Sequence, residues 1–421
     1  MKRLAIILML FAQASYAQED TLNLTRCFEA VEKHHPGTEQ KPVIHQQTQL
    51  KLKNLKAKWY PSLDVNAQVS YQSEVVKIDM DLPFDADFPS PSRDQYQTTL
   101  DVKQMIYDGG ITKASRETEK LGERLEKQSV EVDLYQIKDQ VMEVYFGILL
   151  LNKHQAILES TAKELDNKRQ TVQAAVDNGA LLPSDLKALQ AEQLKLRQNL
   201  DEVEAQKVSS YQILGQLTGL NVEPGIPLKL PAVRTNESVE YQRPENKLYD
   251  LKAQQLKASQ EVIRSQKMPK VTAFGQFGYG KPGLNLLNDE FDTFYYGGAR
   301  LSWNIWDWNQ NKRERQINRL ERQKLAAQEQ SFNKQLDVQL SRIKATIAHY
   351  QKALERDARI IQLREDVTSS AKSKLKNGVI TSSDYISDLN QLTQAQITHE
   401  RHKIELLKAR VNHLFTTGAF Q

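Results

Sequence analysis

The sequence predicts an α+β membrane protein with an internal two-fold repeat. Each chain supplies four strands to a β-barrel that it cannot close alone, and very long helices pair as coiled coils. Three observations predict this. The chain restates its landmarks at one fixed offset, four short segments alternate polar and apolar residues between aromatic ends, and two helical stretches carry apolar residues every seventh position.

The offset is constant. Ile106-Tyr107-Asp108 returns as Ile305-Trp306-Asp307, Asn178-Gly179 as Asn377-Gly378, and Thr218-Gly219 as Thr417-Gly418, each 199 residues later. Asp185, six residues past its glycine, returns in the same way as Asp384. One spacing at separate landmarks points to two structural copies, expected over residues 18–219 and 244–421, with a proline-marked linker over 220–243.

The amino terminus reads Met1-Lys2-Arg3, an apolar run from Leu4 to Ala12, then Ser15-Tyr16-Ala17. This is the charged, apolar and small-residue order of a secretory signal, expected over 1–17. The apolar run is far short of the roughly 20 residues that span a bilayer as a helix. The lone cysteine, Cys27, excludes an internal disulfide and lies too far past the expected cut to carry a lipid. Without Lys2 and Arg3, the 57 basic residues become 55 against 53 acidic ones, which gives no electrostatic case for nucleic acid. Charged residues make up 26% of the chain, which suits long helices with wetted faces.

Residues 22–57 read as helix, interrupted at His35-Pro36-Gly37 and stopped at Pro61. There the period changes to two. Leu63, Val65, Ala67, Val69 and Tyr71 alternate with Asp64, Asn66, Gln68 and Ser70, and a second alternation around Leu100, Val102 and Ile106 follows an acidic, proline-bearing loop. Strands are expected over about 62–72 and 96–107. A helix of about 70 residues then starts near 109, some 105 Å of rise at 1.5 Å per residue. Val144, Leu151, Leu158, Leu165 and Val172 form its seven-residue seam. Asn178-Gly179 terminates it, and Pro183 suits the first turn of a return helix to about 217.

The second copy repeats the order. A helix from 244 to 266 ends before Pro269, and strands are expected over about 270–280 and 295–306. A long helix over about 308–376 carries Leu340, Ile347, Leu354, Ile361 and Leu375. A last helix over about 382–415 opens on Thr381-Ser382-Ser383-Asp384, a capping-box-like start.

Four strands cannot close a barrel, since known barrels begin at about eight. Three chains would supply twelve, with Asp64, Asn66, Gln68, Asp101, Lys103, Arg300, Ser302 and Asn304 facing a wet lumen. Trp59, Tyr60, Tyr107, Trp303, Trp306 and Trp308 sit in or beside the strands, as expected of residues at a membrane interface.

Taken together, these residues resemble the TolC-type outer-membrane efflux protein family. The resemblance rests on Leu22-Asn23-Leu24-Thr25, the breaks at Pro61 and Pro269, Ile106-Tyr107-Asp108-Gly109-Gly110 at the strand-to-helix junction, and the two Asn-Gly tips. It covers the whole chain after the leader. It implies a homotrimer with a twelve-stranded barrel in outer-membrane lipid, continuous with a long periplasmic α-helical coiled-coil barrel. It also implies a non-enzymatic exit duct for small molecules or polypeptides, in a tripartite efflux or type I secretion system. Such a duct works with a periplasmic adaptor (membrane fusion protein) and an inner-membrane pump of RND, ABC or MFS type. The competing reading of the heptads is a soluble periplasmic coiled-coil scaffold, which has no need of four alternating strands.

Function is expected to concentrate at the helical tips. Asn178, Gly179 and Ala180, with Asn377, Gly378 and Val379, form the expected adaptor-docking turns. Asp185, Asp384 and Asp388 are the expected gate or cation ring. Around a threefold axis each Asp becomes three crowded like charges, which should raise their pKa values and invite cations. The family places an acidic ring at the Asp384 position and a second Asp where this chain has Ser387, so Asp388 is the displaced candidate. Ile380 stands where a family member has a latching Arg. Each Asp can also simply cap its helix.

Three other motifs are weaker. Gly275 to Lys281 imitates a phosphate loop, but Pro282 replaces the metal-binding hydroxyl and no helix is expected to follow. His399-Glu400-Arg401-His402 has its histidines three apart rather than four, so it reads as a solvated helix face rather than a zinc site. His34-His35 reads as a surface turn. No catalytic grouping, cofactor site or metal site is expected.

Overall fold

The computed structural model describes residues 21–76, 90–232, 241–286 and 288–420. The expected leader (1–17), the centre of the acidic loop (77–89) and part of the expected linker (233–240) lie outside the described residues. The elements in chain order are α1 (Leu24–His34), a 3-10 turn (Pro36–Glu39), α2 (Gln40–Ala57), β1 (Ser62–Tyr71), β2 (Asp94–Tyr107), α3 (Ile111–Asp177) and α4 (Pro183–Thr218). Then come α5 (Pro244–Gln266), β3 (Lys270–Lys281), β4 (Asp292–Ser302), α6 (Gln310–Lys376) and α7 (Ser382–Thr417). Helices α3 and α6 both have 67 residues, and α4 and α7 both have 36. Each of the later pair begins and ends 199 residues after its counterpart.

The chain divides into two units. One holds the sheet, α2, α5 and the first parts of α3 and α6: Glu39–Ser129 and Glu245–Ser331. The sheet has the order β1-β2-β3-β4 with every pair antiparallel. The register aligns Val65 with Leu100, Leu100 with Phe277, and Phe277 with Tyr295. Side chains on paired residues share a face, so these four lie together across all four strands. All four are exposed, as are Leu63, Val69, Tyr279 and Leu301 on the same face. The opposite face carries a polar network. Asp101 accepts from Asn66 Nδ2 at 2.6 Å, from Thr99 Oγ1 at 3.1 Å and from Gln276 Nε2 at 2.5 Å. Strands β1 and β4 each pair on one side only.

Two expectations about the sheet need correction. β4 ends at Ser302, so Trp303, Asn304, Ile305 and Trp306 follow it, and Asn304 is not a strand residue. The strand begins instead at Asp292, three residues before the expected start. The polar face also holds rings. Phe294 is buried and lies over Gly278, where an added Cβ would meet its ring at 2.2 Å, and Arg300 stands 5.3 Å above Phe274.

The junction into each long helix is built the same way. Asp108 accepts from the Gly110 and Thr112 amides, both at 2.8 Å, and Asp307 accepts from the Asn311 amide at 3.1 Å. These carboxylates satisfy first-turn donors. Gly109 and Gly110 take positive φ (73° and 87°), and so do Trp308 (52°) and Asn309 (63°) at the corresponding positions. The second junction therefore puts non-glycine residues in a left-handed backbone, a strain the sequence alone did not betray.

The other unit holds α1, α4, α7 and the later parts of α3 and α6: residues up to Thr38, Val130–Pro244 and from Phe332 onward. Leu158, Leu165 and Val172 of the α3 seam are buried with Leu189, Leu196 and Val203 of α4, and with Ala371, Leu375 and Tyr385. Seven-residue spacing on both α3 and α4 is what brings these side chains together. A second core surrounds Tyr145, whose hydroxyl lies within donor distance of the carbonyls of Lys229 (2.6 Å) and Leu22 (2.9 Å) and has one proton to share between them. Cys27 is fully buried there, and burial pushes its thiol up to about 12, so it remains an unreactive thiol.

Candidate functional site at the helical tips

Both tip turns lie in the helical unit, and both are Schellman closures. The Gly179 amide donates to Val176 O at 2.9 Å and the Ala180 amide to Ala175 O at 2.8 Å. The Gly378 amide donates to Leu375 O at 3.1 Å and the Val379 amide to Lys374 O at 2.9 Å. Gly179 (φ 73°) and Gly378 (φ 70°) occupy the left-handed position this motif demands. Asn178 steadies its turn through Nδ2 to Ala174 O at 2.8 Å. Ala180, Leu182 and Val379 stand exposed, so each turn presents apolar surface outward.

The three aspartates have three different surroundings. Asp384 is exposed and closes a complete capping box. It accepts from Thr381 N at 3.0 Å and Thr381 Oγ1 at 2.7 Å, while its own amide donates to Thr381 Oγ1 at 3.2 Å. The bond from the Thr381 hydroxyl, and then that from its amide, hold the Asp384 carboxyl below its ordinary value. This is the opposite direction from the rise expected of crowded carboxylates, because local donors dominate within a single chain. Asp388 is half-buried, its carbonyl accepts from Thr368 Oγ1 at 3.3 Å, and its carboxylate makes no ion pair among the described residues.

Asp185 differs from its expectation more sharply. It is buried at 9% exposure, and its Oδ1 accepts from the Ser382 amide at 2.7 Å. Ser382 opens α7, so this carboxylate caps the other hairpin's helix instead of facing solvent. It ties the α3/α4 hairpin to the α6/α7 hairpin. Beside it, Tyr385 is fully buried and donates to Glu164 Oε1 at 3.1 Å, which also accepts from Lys372 at 3.0 Å. Burial, and then Glu164, push the Tyr385 hydroxyl up, which keeps it a donor.

Of the aromatic set, Tyr60, Tyr107, Trp303, Trp306 and Trp308 are exposed, and Trp59 is half-buried. Trp303 Nε1 donates to Lys267 O at 3.1 Å, while Trp306 and Trp308 meet edge to face at 5.8 Å. The stretch Gly275 to Lys281 lies in β3, with no phosphate-loop helix after it.

The histidine pair needs a second correction. His402 Nδ1 lies 2.6 Å and His399 Nδ1 3.8 Å from Asp357 Oδ2, all three largely buried between α6 and α7. This is not a solvated face. Asp357 lies 14 residues from Ile343 and from Ala371, both buried, so the seven-residue period placed it inward. No grouping suited to a metal occurs among the described residues, and no helix among them is long and apolar enough to cross a membrane.

Residues 45–220 match the family described as outer membrane efflux protein. No curated protein matches the chain. Among solved structures, the fold is similar to the CmeC outer membrane channel of Campylobacter jejuni, at 13% identity and a TM-score of 0.68, covering 96% of this chain and 87% of that one. It is similar to the outer membrane protein VceC of Vibrio cholerae, at 14% identity and 0.65, covering 94% and 96%. It is also similar to the open-state MtrE outer membrane channel of Neisseria gonorrhoeae, at 14% identity and 0.67, covering 94% and 89%. The sequence thus matches the outer membrane efflux protein family over residues 45–220, and over nearly its whole length the fold is similar to that of solved outer membrane channels.

Proposed function

We propose that three copies of this chain form the exit duct of a tripartite efflux or type I secretion assembly. Small molecules or polypeptides then pass outward without catalysis. The observation that carries this reading is the sheet. Its strands have 10, 14, 12 and 11 residues, long enough for the roughly 9–11 that a tilted membrane strand needs. One face is apolar and exposed, the other polar, and both edges are open. Pairing β4 of one chain with β1 of the next removes every edge and gives a twelve-stranded barrel with Asp101 and its partners inside.

On this reading residues 1–17 are a secretory leader, and the helices extend into the periplasm. The 199-residue offset reflects a duplicated unit, so a trimer presents six similar hairpins to an adaptor ring. Asn178 to Ala180 and Asn377 to Val379 dock that adaptor, Asp384 and Asp388 line the entrance, and Asp185 braces the two hairpins. The interfacial aromatics meet the lipid headgroups.

The test is physical. Purified protein should migrate as a heat-modifiable trimer in the outer-membrane fraction and conduct ions in a planar bilayer. A chain that stays monomeric and soluble without detergent would sink the proposal.

A further inference from the structure

Between α3 and α6, about two to five helical turns back from Gly179 on α3 and within about two turns of Gly378 on α6, lies an open cleft of about 620 Å³. Four lysines line it: Lys163 and Lys168 from α3, Lys372 and Lys376 from α6, with Glu164 among them. Glu164 is already engaged by Lys372 and by the Tyr385 hydroxyl. Lys163 and Lys376 are exposed and have no ion pair among the described residues.

Lys168 is the unusual member. Its relative exposure is 6%, so it is a charged side chain more than nine-tenths buried. It stands 5.1 Å above the Tyr385 ring and donates to Lys372 O at 3.2 Å. An ammonium has three N–H donors, and a buried one is costly unless they and its charge are met. One donor is met by that carbonyl, and the charge is met only in part by the ring.

We propose that this cleft binds a free polyvalent oxyanion of the phosphate or sulfate class. Three cations lacking a carboxylate partner converge on it from two helices. An oxyanion accepts from several ammonium groups at once, which neutral water cannot do with the same strength. The volume, set against about 30 Å³ per water, has room for the ion and a partial hydration shell. Burial first, and then the charge of Lys372, depress the Lys168 ammonium, and a bound anion would oppose that depression by favouring the charged form. Because the lysines come from α3 and α6, the ion would bridge the two tip hairpins and favour their packed arrangement.

The test is calorimetric titration of the full detergent-purified protein with inorganic phosphate and with sulfate, at constant ionic strength set by chloride. Saturable binding is expected. It should weaken at least about ten-fold, the factor carried by 1.4 kcal/mol, both in Lys168→Met and in the double variant Lys163→Gln/Lys376→Gln. The double variant changes only exposed side chains, so it keeps the test valid if Lys168→Met fails to fold. Lys195→Gln, exposed and outside the cleft, should bind as the parent does. No saturable heat with either ion, or equal affinity in the parent and the double variant, would overturn the proposal. So would saturable binding of a polyglutamate helix where both inorganic ions fail, because that would make the cleft a protein-docking surface.

Discussion

Replacing Asp185 with alanine removes the carboxylate that caps α7 from across the hairpins. The Ser382 amide is then left without its 2.7 Å acceptor in a buried position. A hydrogen bond to a charged group contributes roughly 1.5–3 kcal/mol, and an orphaned buried donor costs a similar amount. The first turn of α7 should therefore open about ten- to a hundred-fold more often. Asp185 also lies in the first turn of its own helix α4, where a negative charge contributes about 0.3–1 kcal/mol through the helix dipole. Asp185→Asn separates the two effects, since its amide oxygen still accepts from Ser382 while the charge is gone. Hydrogen exchange read on peptides covering 379–390 should accelerate strongly in Asp185→Ala and only slightly in Asp185→Asn. Peptides at the start of α4 should respond alike in both. Unchanged exchange at 382–386 in the alanine variant would refute the bracing role.

The Asp384 cap has a defined pH window. Its folded-state pKa is depressed, so its contribution is complete above the unfolded value and is lost as pH falls through the folded one. Protection at the start of α7 should be flat at neutral pH and fall only in acid below about pH 4; a loss near pH 6 would show that another group controls it. In bilayers, Asp384→Ala should reduce block by multivalent cations added from the tip side, and undiminished block would remove Asp384 from the entrance. Gly109→Ala combines a left-handed backbone with a Cβ 2.6 Å from Met268 Cβ, whereas Gly110→Ala has the backbone conflict with room to spare. Thermal denaturation should show losses of about 2–5 and about 1–2 kcal/mol respectively, and equal losses would argue against the packing account. Val379→Asp places a charge on an exposed tip residue and should abolish export while leaving the trimer intact on gels; normal export would count against tip docking.

Features governed by local chemistry were legible in the sequence. The tip turns needed a glycine after the last periodic residue, and the change of period at Pro61 coincides with the start of β1. What escaped was set by contacts between distant segments. Asp185 looked like a solvent-facing twin of Asp384, and only the approach of the two hairpins makes it a buried acceptor. His399 and His402 were judged by spacing on their own helix, although their partner Asp357 lies on another. The bounds of β4 were shifted by three to four residues, since it runs from Asp292 to Ser302 and Phe294, inside that missed start, covers the Gly278 site from across the sheet. Lys168 was passed over although it falls between Leu165 and Val172 on the seam, since a lysine on a charged helix is ordinarily a wetted one.

The open edges of β1 and β4 carry a consequence for how the protein comes to exist. In the proposed barrel, backbone donors and acceptors on those strands at membrane depth can be satisfied only by another strand, and the apolar face beside them only by lipid or another chain. Folding of the sheet is therefore linked to the amount of chain present. Its melting temperature should rise with protein concentration, and a chain made in small amounts is left with a surface that pairs with whatever strand it meets first. On the proposed trimer, the supply of newly made chain would set a threshold below which the sheet-bearing unit lacks the neighbours that close it.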